Sequence, residues 1–178
     1  RGTQSTARLE GDKWIVNGSK IFITNSATPM TLGSTIQVIT GENNGKPEFT
    51  TFIIENDTEG FSQEPMHRKM MWRASNTGKL TFNNVELPKE NMLGKPGQGS
   101  HIMLATLDGG RLSIAAMGLG CAQGAYEMAL AYSQKREQFG KQICKFQAVS
   151  FKLADMAMKI EAARCLLYKA CRIKDAGL

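Results

Sequence analysis

The chain has 178 residues, 42% of them apolar and 21% charged, with 22 basic against 16 acidic side chains and a net charge of +6. That is a globular composition, long enough for one ordinary domain or two small ones and able to bury a core. The positive balance favours an anionic partner without choosing among nucleotide, CoA, nucleic acid and phospholipid. Scattered basic residues, three Tyr, two Trp and no zinc-finger or RNA-binding signature argue against nucleic acid.

The first ninety-odd residues read as β. In residues 14–24 (WIVNGSKIFIT) the pair Asn17-Gly18 stands between two short β-branched runs, a pattern that predicts a hairpin turning at that pair. Further strands are expected at 35–40, 49–55 and 79–82, separated by turn chemistry at 41–47, 57–60 and Asn83-Asn84. Short strands at this spacing suggest an antiparallel sandwich or barrel. A Pro- and Gly-rich linker at 87–99 follows, and the domain boundary is placed there, giving a β-domain at 1–95 and a helical region at 96–178.

From about Ser100 the period changes to 3.6. Ile114, Met117, Cys121, Ala125, Met128 and Tyr132 fall on one face, and after a break Val149, Leu153, Met156, Ile160, Ala163, Leu167 and Ala170 form a second stripe. Both stripes are expected to be core. Two helices do not close a bundle, so further helices are expected from additional sequence or another subunit. The predicted architecture is α+β: an antiparallel β-sandwich or barrel, then antiparallel helices of a four-helix bundle. The first residue is not Met, and the chain ends with a helix barely finished, as expected of part of a longer polypeptide.

The break at 136–147 (REQFGKQICKFQ) predicts an exposed corner between antiparallel helices. Locally, the ordinary reading is that Arg136, Lys141 and Lys145 solvate a turn; the other is that they hold an anion. The four cysteines, Cys121, Cys144, Cys165 and Cys171, form no CxxC and have no His pair nearby, so metal binding is not expected. Most have apolar neighbours, as free cysteines do in a reducing cytoplasm or organelle matrix. Neither a signal peptide nor an apolar run of membrane-spanning length is visible, and membrane insertion is not expected. His67 and His101 lack a nucleophile motif, and no phosphate-binding glycine loop follows a strand. Gly109-Gly110 interrupts a helical pattern at about 1 kcal/mol per glycine, which asks for a packing or ligand-approach reason.

Five stretches in order carry a resemblance: 14–25 (WIVNGSKIFITN), 85–94 (VELPKENMLG), 107–111 (LDGGR), 136–141 (REQFGK) and 146–156 (FQAVSFKLADM). Through them the chain resembles the acyl-CoA dehydrogenases, flavoenzymes of fatty acid metabolism, over essentially its whole length. The resemblance implies a subunit with an N-terminal helical domain, a middle β-domain and a C-terminal four-helix domain, assembled as a tetramer or dimer. This chain would supply the β-domain and the first two helices of the last part.

The implied reaction is FAD-dependent α,β-desaturation of an acyl-CoA to a 2-enoyl-CoA, with electron-transfer flavoprotein as acceptor and a bacterial cytoplasm or mitochondrial matrix as location. Phe22, Ile23 and Thr24 match the stretch beside the flavin ring; Arg136, Gln138, Phe139 and Gln147 match residues reaching the ADP half of FAD on a neighbouring subunit. Asp108 and Arg111 match residues along the acyl-CoA channel, their ordinary alternative being a surface i,i+3 ion pair. One branch of the family places its catalytic glutamate where this chain has Gly110, and the other places it downstream of Leu178. No catalytic base is therefore assigned within the chain, and the chain alone is expected to be inactive. Gly110 matches the short-chain, butyryl-type members. The family's Gly-Ser flavin loop would lie upstream of Arg1, and Gln138 departs from the small hydroxyl residue of some relatives. Competing readings are an acyl-CoA oxidase, flavin monooxygenase or nitroalkane oxidase on the same fold, and a non-catalytic relative.

Overall fold

The computed structural model describes residues 2–177. It divides into two compact units, residues 1–105 and 106–178.

The first unit is one sheet of seven strands: β1 (Thr6–Glu10), β2 (Lys13–Thr24), β3 (Gly33–Asn43), β4 (Lys46–Glu55), β5 (Phe61–Pro65), β6 (Thr77–Pro88) and β7 (Met92–Leu93), in the order β5-β6-β2-β1-β3-β4-β7. Neighbours pair antiparallel except β1 and β3, which pair parallel. The buried side chains alternate along the strands, with Trp14 and Val16 on β2, Ile36 and Val38 on β3, Phe52 and Ile54 on β4, and Leu80 and Phe82 on β6. Trp14 and Phe52 have ring centroids 5.3 Å apart although two strands separate β2 from β4. The sheet must therefore curl, and curling folds its apolar face into a core.

Asn17-Gly18 does not turn the chain. β2 runs unbroken through it, and the β1–β2 turn is at Gly11-Asp12 instead, between the paired residues Glu10 and Lys13. Opposite Asn17, β6 carries Asn83 and Asn84, an extra residue that makes a bulge rather than the expected turn. Asn17 Nδ2 donates to Asn84 Oδ1 at 2.9 Å and Asn17 Oδ1 accepts from the Asn84 amide at 2.9 Å. The bulge shifts the parity of β6, so the inward set passes from Leu80 and Phe82 to Val85 and Leu87. Gly18 has φ +124, and a Cβ there would lie 2.7 Å from the Ser5 Cα. The same dipeptide does turn the chain at Asn44-Gly45, φ 53 and 73, between the paired residues Asn43 and Lys46.

The linker at 87–99 is more ordered than its prolines suggested: β6 extends to Pro88, a 3₁₀ turn covers Lys89–Asn91, and β7 pairs with β4. The helix α1 (Gly99–Lys135) begins at Gly99, whose added Cβ would lie 2.7 Å from the Phe49 carbonyl oxygen.

The second unit contains most of α1, the strands β8 (Glu137–Gln138) and β9 (Lys141–Gln142), and α2 (Gln147–Asp175). Arg164 donates to Gln123 Oε1 at 2.8 Å, tying the two helices together. The α2 stripe holds for most of its length, with Ile160 and Leu167 buried and Val149, Leu153, Met156 and Ala170 half-buried, while Ala163 is exposed on the groove shared with α1. The α1 stripe does not. Ile114, Met117, Met128 and Tyr132 are exposed, and the α1 residues that share an apolar groove of about 520 Å³ with α2 are Leu112, Ala115, Gly118, Leu119 and Ala122. α1 is apolar on more than one side, so periodicity alone did not single out the packed face. One window of α1 is also long and apolar enough to cross a membrane by length and composition, contrary to the expectation that no such run exists. The cysteines are free, with Cys121 and Cys165 exposed and Cys144 and Cys171 half-buried, not the small core residues expected.

Candidate functional site

The first candidate cluster is at the end of β2. Along this strand the inward positions are even-numbered, from Trp14 and Val16 to the half-buried Lys20, and simple alternation would place Phe22 inside. A second bulge intervenes. Between the pairs Lys20–Leu80 and Ile23–Gly78, the two residues Ile21 and Phe22 oppose Lys79 alone. Ile23 turns inward to pack against the core, while Phe22 is left 67% exposed with φ 64. A bulky residue held left-handed costs on the order of 1–2 kcal/mol. Thr24 is exposed beside it, paired with Thr77, and Asn25 (φ 56) closes the strand by donating its amide to the Asn76 carbonyl at 3.0 Å. The strand thus presents an aromatic ring and a hydroxyl to the outside at a backbone irregularity. Burial holds the Lys20 ammonium below its usual 10.5.

The second cluster is the corner after α1. It is not a loose turn but a miniature hairpin. β8 and β9 pair antiparallel around Phe139-Gly140, φ 51 and 77, the left-handed pair of a type I′ turn. The Ile143 amide donates to the Arg136 carbonyl at 2.9 Å, closing the base, and a 3₁₀ turn at Ile143–Lys145 leads into α2. Phe139 at the tip is 91% exposed. Its ring meets Phe146 edge-on at 6.2 Å, and the Lys141 ammonium lies 4.4 Å from the Phe146 centroid. Phe146 is the residue that sequence reading missed, although an aromatic before a helix start was a visible signal. Arg136, Gln138 and Gln147 are exposed, and among the described residues Arg136 has no ion pair and no side-chain hydrogen bond. Residues 136–147 carry three cations, Arg136, Lys141 and Lys145, and one carboxylate, Glu137.

Asp108 and Arg111, on α1, form an i,i+3 ion pair at 2.5 Å with side chains 64% and 70% exposed. The ordinary alternative for these residues is therefore realised in this chain, and an exposed pair of this kind costs little to open. Between them a Cβ added at Gly109 would lie 3.0 Å from the flexible end of Lys174, and one added at Gly110 would meet nothing within 4 Å. No packing reason for Gly110 exists among the described residues. No group of three metal-ligating side chains occurs among them either.

Each cluster is an exposed aromatic on a left-handed residue next to polar or cationic groups. Two family models match the chain: "Acyl-CoA dehydrogenase, middle domain" over residues 1–85 and "Acyl-CoA dehydrogenase, C-terminal domain" over residues 97–178. The chain belongs to the acyl-CoA dehydrogenase family. A short-chain specific acyl-CoA dehydrogenase of Clostridium acetobutylicum is 46% identical over 175 residues, covering 98% of this chain and 46% of that protein. The butyryl-CoA dehydrogenase structure from Megasphaera elsdenii aligns with TM-score 0.90 at 45% identity, over 98% of this chain and 46% of that one. A Mycobacterium smegmatis glutaryl-CoA dehydrogenase in complex with FADH2 aligns with TM-score 0.88 at 33% identity, over 99% of this chain and 44% of that one. The chain thus spans just under half the length of these relatives. The α+β architecture is that of the acyl-CoA dehydrogenases.

Proposed function

We propose that the protein carrying this chain is a FAD-dependent enzyme that desaturates a short acyl-CoA thioester between its α and β carbons, giving a 2-enoyl-CoA. The observation that carries this reading is the corner at 136–147: a guanidinium with no side-chain partner among the described residues, at the base of a hairpin whose tip holds an aromatic outward. A planar, permanently charged fork suits a pyrophosphate, and a flat exposed ring on the same hairpin suits an adenosine face. The residues present therefore fit FAD. In this reading Arg136, Gln138, Phe139 and Gln147 hold the ADP half of a neighbouring subunit's FAD, so the working protein is a homo-oligomer, dimeric or tetrameric. Phe22 borders the flavin ring, Ile23 anchors that edge to the core, and Thr24 offers its hydroxyl to the ring. When bound, the flavin supplies the electron chemistry and accepts the hydride.

Asp108 and Arg111 line the acyl-CoA channel, and opening their exposed pair frees both for the substrate. The α-proton needs a carboxylate base. Gly110 offers none, so the base is a residue outside this chain, and the chain alone turns nothing over. Electron-transfer flavoprotein takes the electrons, and the free cysteines suit a reducing compartment, a bacterial cytoplasm or mitochondrial matrix. The test is an anaerobic titration of the purified full-length protein with butyryl-CoA. Loss of the oxidised flavin absorbance is expected, while the 178-residue chain mixed with FAD shows none. A colourless full-length protein that cannot be reconstituted with FAD would contradict the reading.

A further inference from the structure

The connection between β5 and β6 plays no part in the clusters above. It carries His67, Arg68, Lys69 and Arg73 around an open concavity of about 430 Å³, lined also by Met66. Among the described residues no carboxylate lines it, and none of these four side chains is in an ion pair. Uncompensated cations this close repel one another, so the loop needs something to hold it in place.

Its own hydrogen bonds do so. The Lys69 ammonium donates to the Ser75 carbonyl and, at 2.7 Å, to Thr77 Oγ1. Arg73 Nε donates back to the Lys69 carbonyl at 3.2 Å, and the Ser75 amide donates to the Trp72 carbonyl at 3.1 Å. Arg68 and Trp72 are both left-handed, with φ 60 and 54. These bonds use two of the three Lys69 protons and one edge of Arg73. Among the described residues one ammonium proton, the terminal guanidinium nitrogens of Arg73 and the whole Arg68 fork have no partner, and all three residues line the concavity. A fixed loop that spends its donors this way is preorganised for an acceptor with several oxygens and negative charge.

We propose that residues 66–77 form a binding site for a phosphate dianion, held by Arg68, Lys69 and Arg73 with His67 at the rim. The shared chemistry is the phosphoryl group, free or as the end of a small monoester, and the concavity has room for more than the group itself.

The test is isothermal titration calorimetry of the flavin-saturated full-length protein, so that its cofactor site is already filled. Inorganic phosphate and phenyl phosphate are titrated separately at constant ionic strength against sodium chloride. Saturable binding is expected, with Arg68→Ala and Arg73→Ala each weakening it about tenfold or more, as loss of a charge-assisted hydrogen bond does. Lys46→Ala, on the β3–β4 hairpin and outside the concavity's lining, should leave it unchanged. If phenyl phosphate binds more tightly than inorganic phosphate, the site takes a monoester; the reverse order assigns free phosphate. Arg68 is exposed and among the described residues its side chain has no hydrogen-bond partner, so unchanged thermal melting of Arg68→Ala is expected, keeping a binding loss interpretable. Heat no different from chloride, or saturable binding that both arginine variants retain, would overturn the proposal.

Discussion

Replacing Gly18 by Ala should damage the β-domain far more than the same change at Gly45, although both glycines follow an asparagine in a strand-rich stretch. At Gly45 an added Cβ meets nothing within 4 Å, and φ +73 is the ordinary left-handed region, so the cost is about 1 kcal/mol. At Gly18 φ is +124, a conformation that alanine adopts only with strain of about 1–3 kcal/mol. The new methyl would also lie 2.7 Å from the Ser5 Cα, 2.9 Å from its Cβ and 2.9 Å from its Oγ. Ser5 is fully buried and donates to the Ser19 carbonyl at 2.9 Å, so it cannot swing away. Overpacking adds about 1–3 kcal/mol and loss of that hydrogen bond about 1 kcal/mol. The expected destabilisation is therefore about 3–7 kcal/mol for Gly18→Ala against about 1 kcal/mol for Gly45→Ala. Urea unfolding followed by the emission of Trp14, buried against Phe52, reads this domain directly. Equal midpoints for the two variants would refute the reasoning.

Lys20→Met should flatten the alkaline stability profile. The native Lys20 pKa lies below 10.5 because of burial, so the unfolded chain binds more protons just below pH 10.5. Wild-type stability should therefore rise with pH through that window, relative to the variant, and urea midpoints between pH 8 and 10.5 would show it. Arg111→Ala removes an exposed pair and should cost only a few tenths of a kcal/mol in folding. In the full-length enzyme it should raise the KM for butyryl-CoA about tenfold, the loss of one charged hydrogen bond; a drop of several degrees in Tm would mark the residue as structural instead.

The fold class was legible because strand and helix periods change sharply near Ser100, and the corner was legible because its polar residues interrupt two apolar patterns. What escaped was set by long-range packing. Asn17-Gly18 and Asn44-Gly45 are the same local signal, yet the first meets Ser5 across the sheet and Asn84 on the next strand, partners distant in sequence. A bulge there keeps Val85 and Leu87 in the core, and a second bulge rotates Phe22 outward; neither parity change is written in hydrophobic alternation. The choice of packed face on α1 was likewise hidden, since Leu112 and Leu119 are as apolar as Ile114 and Met117. The hairpin inside the corner was hidden because Phe139-Gly140 gives no turn signal: an aromatic in the left-handed region is a poor turn former.

The central claim is that the corner at 136–147 is half of an FAD site. Arg136 and Lys145 are both exposed and without ion pairs in the described fold, so neither variant should perturb folding, and any difference between them reports a ligand. Flavin content per subunit should be measured for full-length Arg136→Ala and Lys145→Ala after identical dialysis. The account predicts FAD affinity about ten- to a hundredfold weaker for Arg136→Ala, a charge-assisted contact of about 1.5–3 kcal/mol, and near wild-type retention for Lys145→Ala. Equal flavin content in the two variants would contradict it.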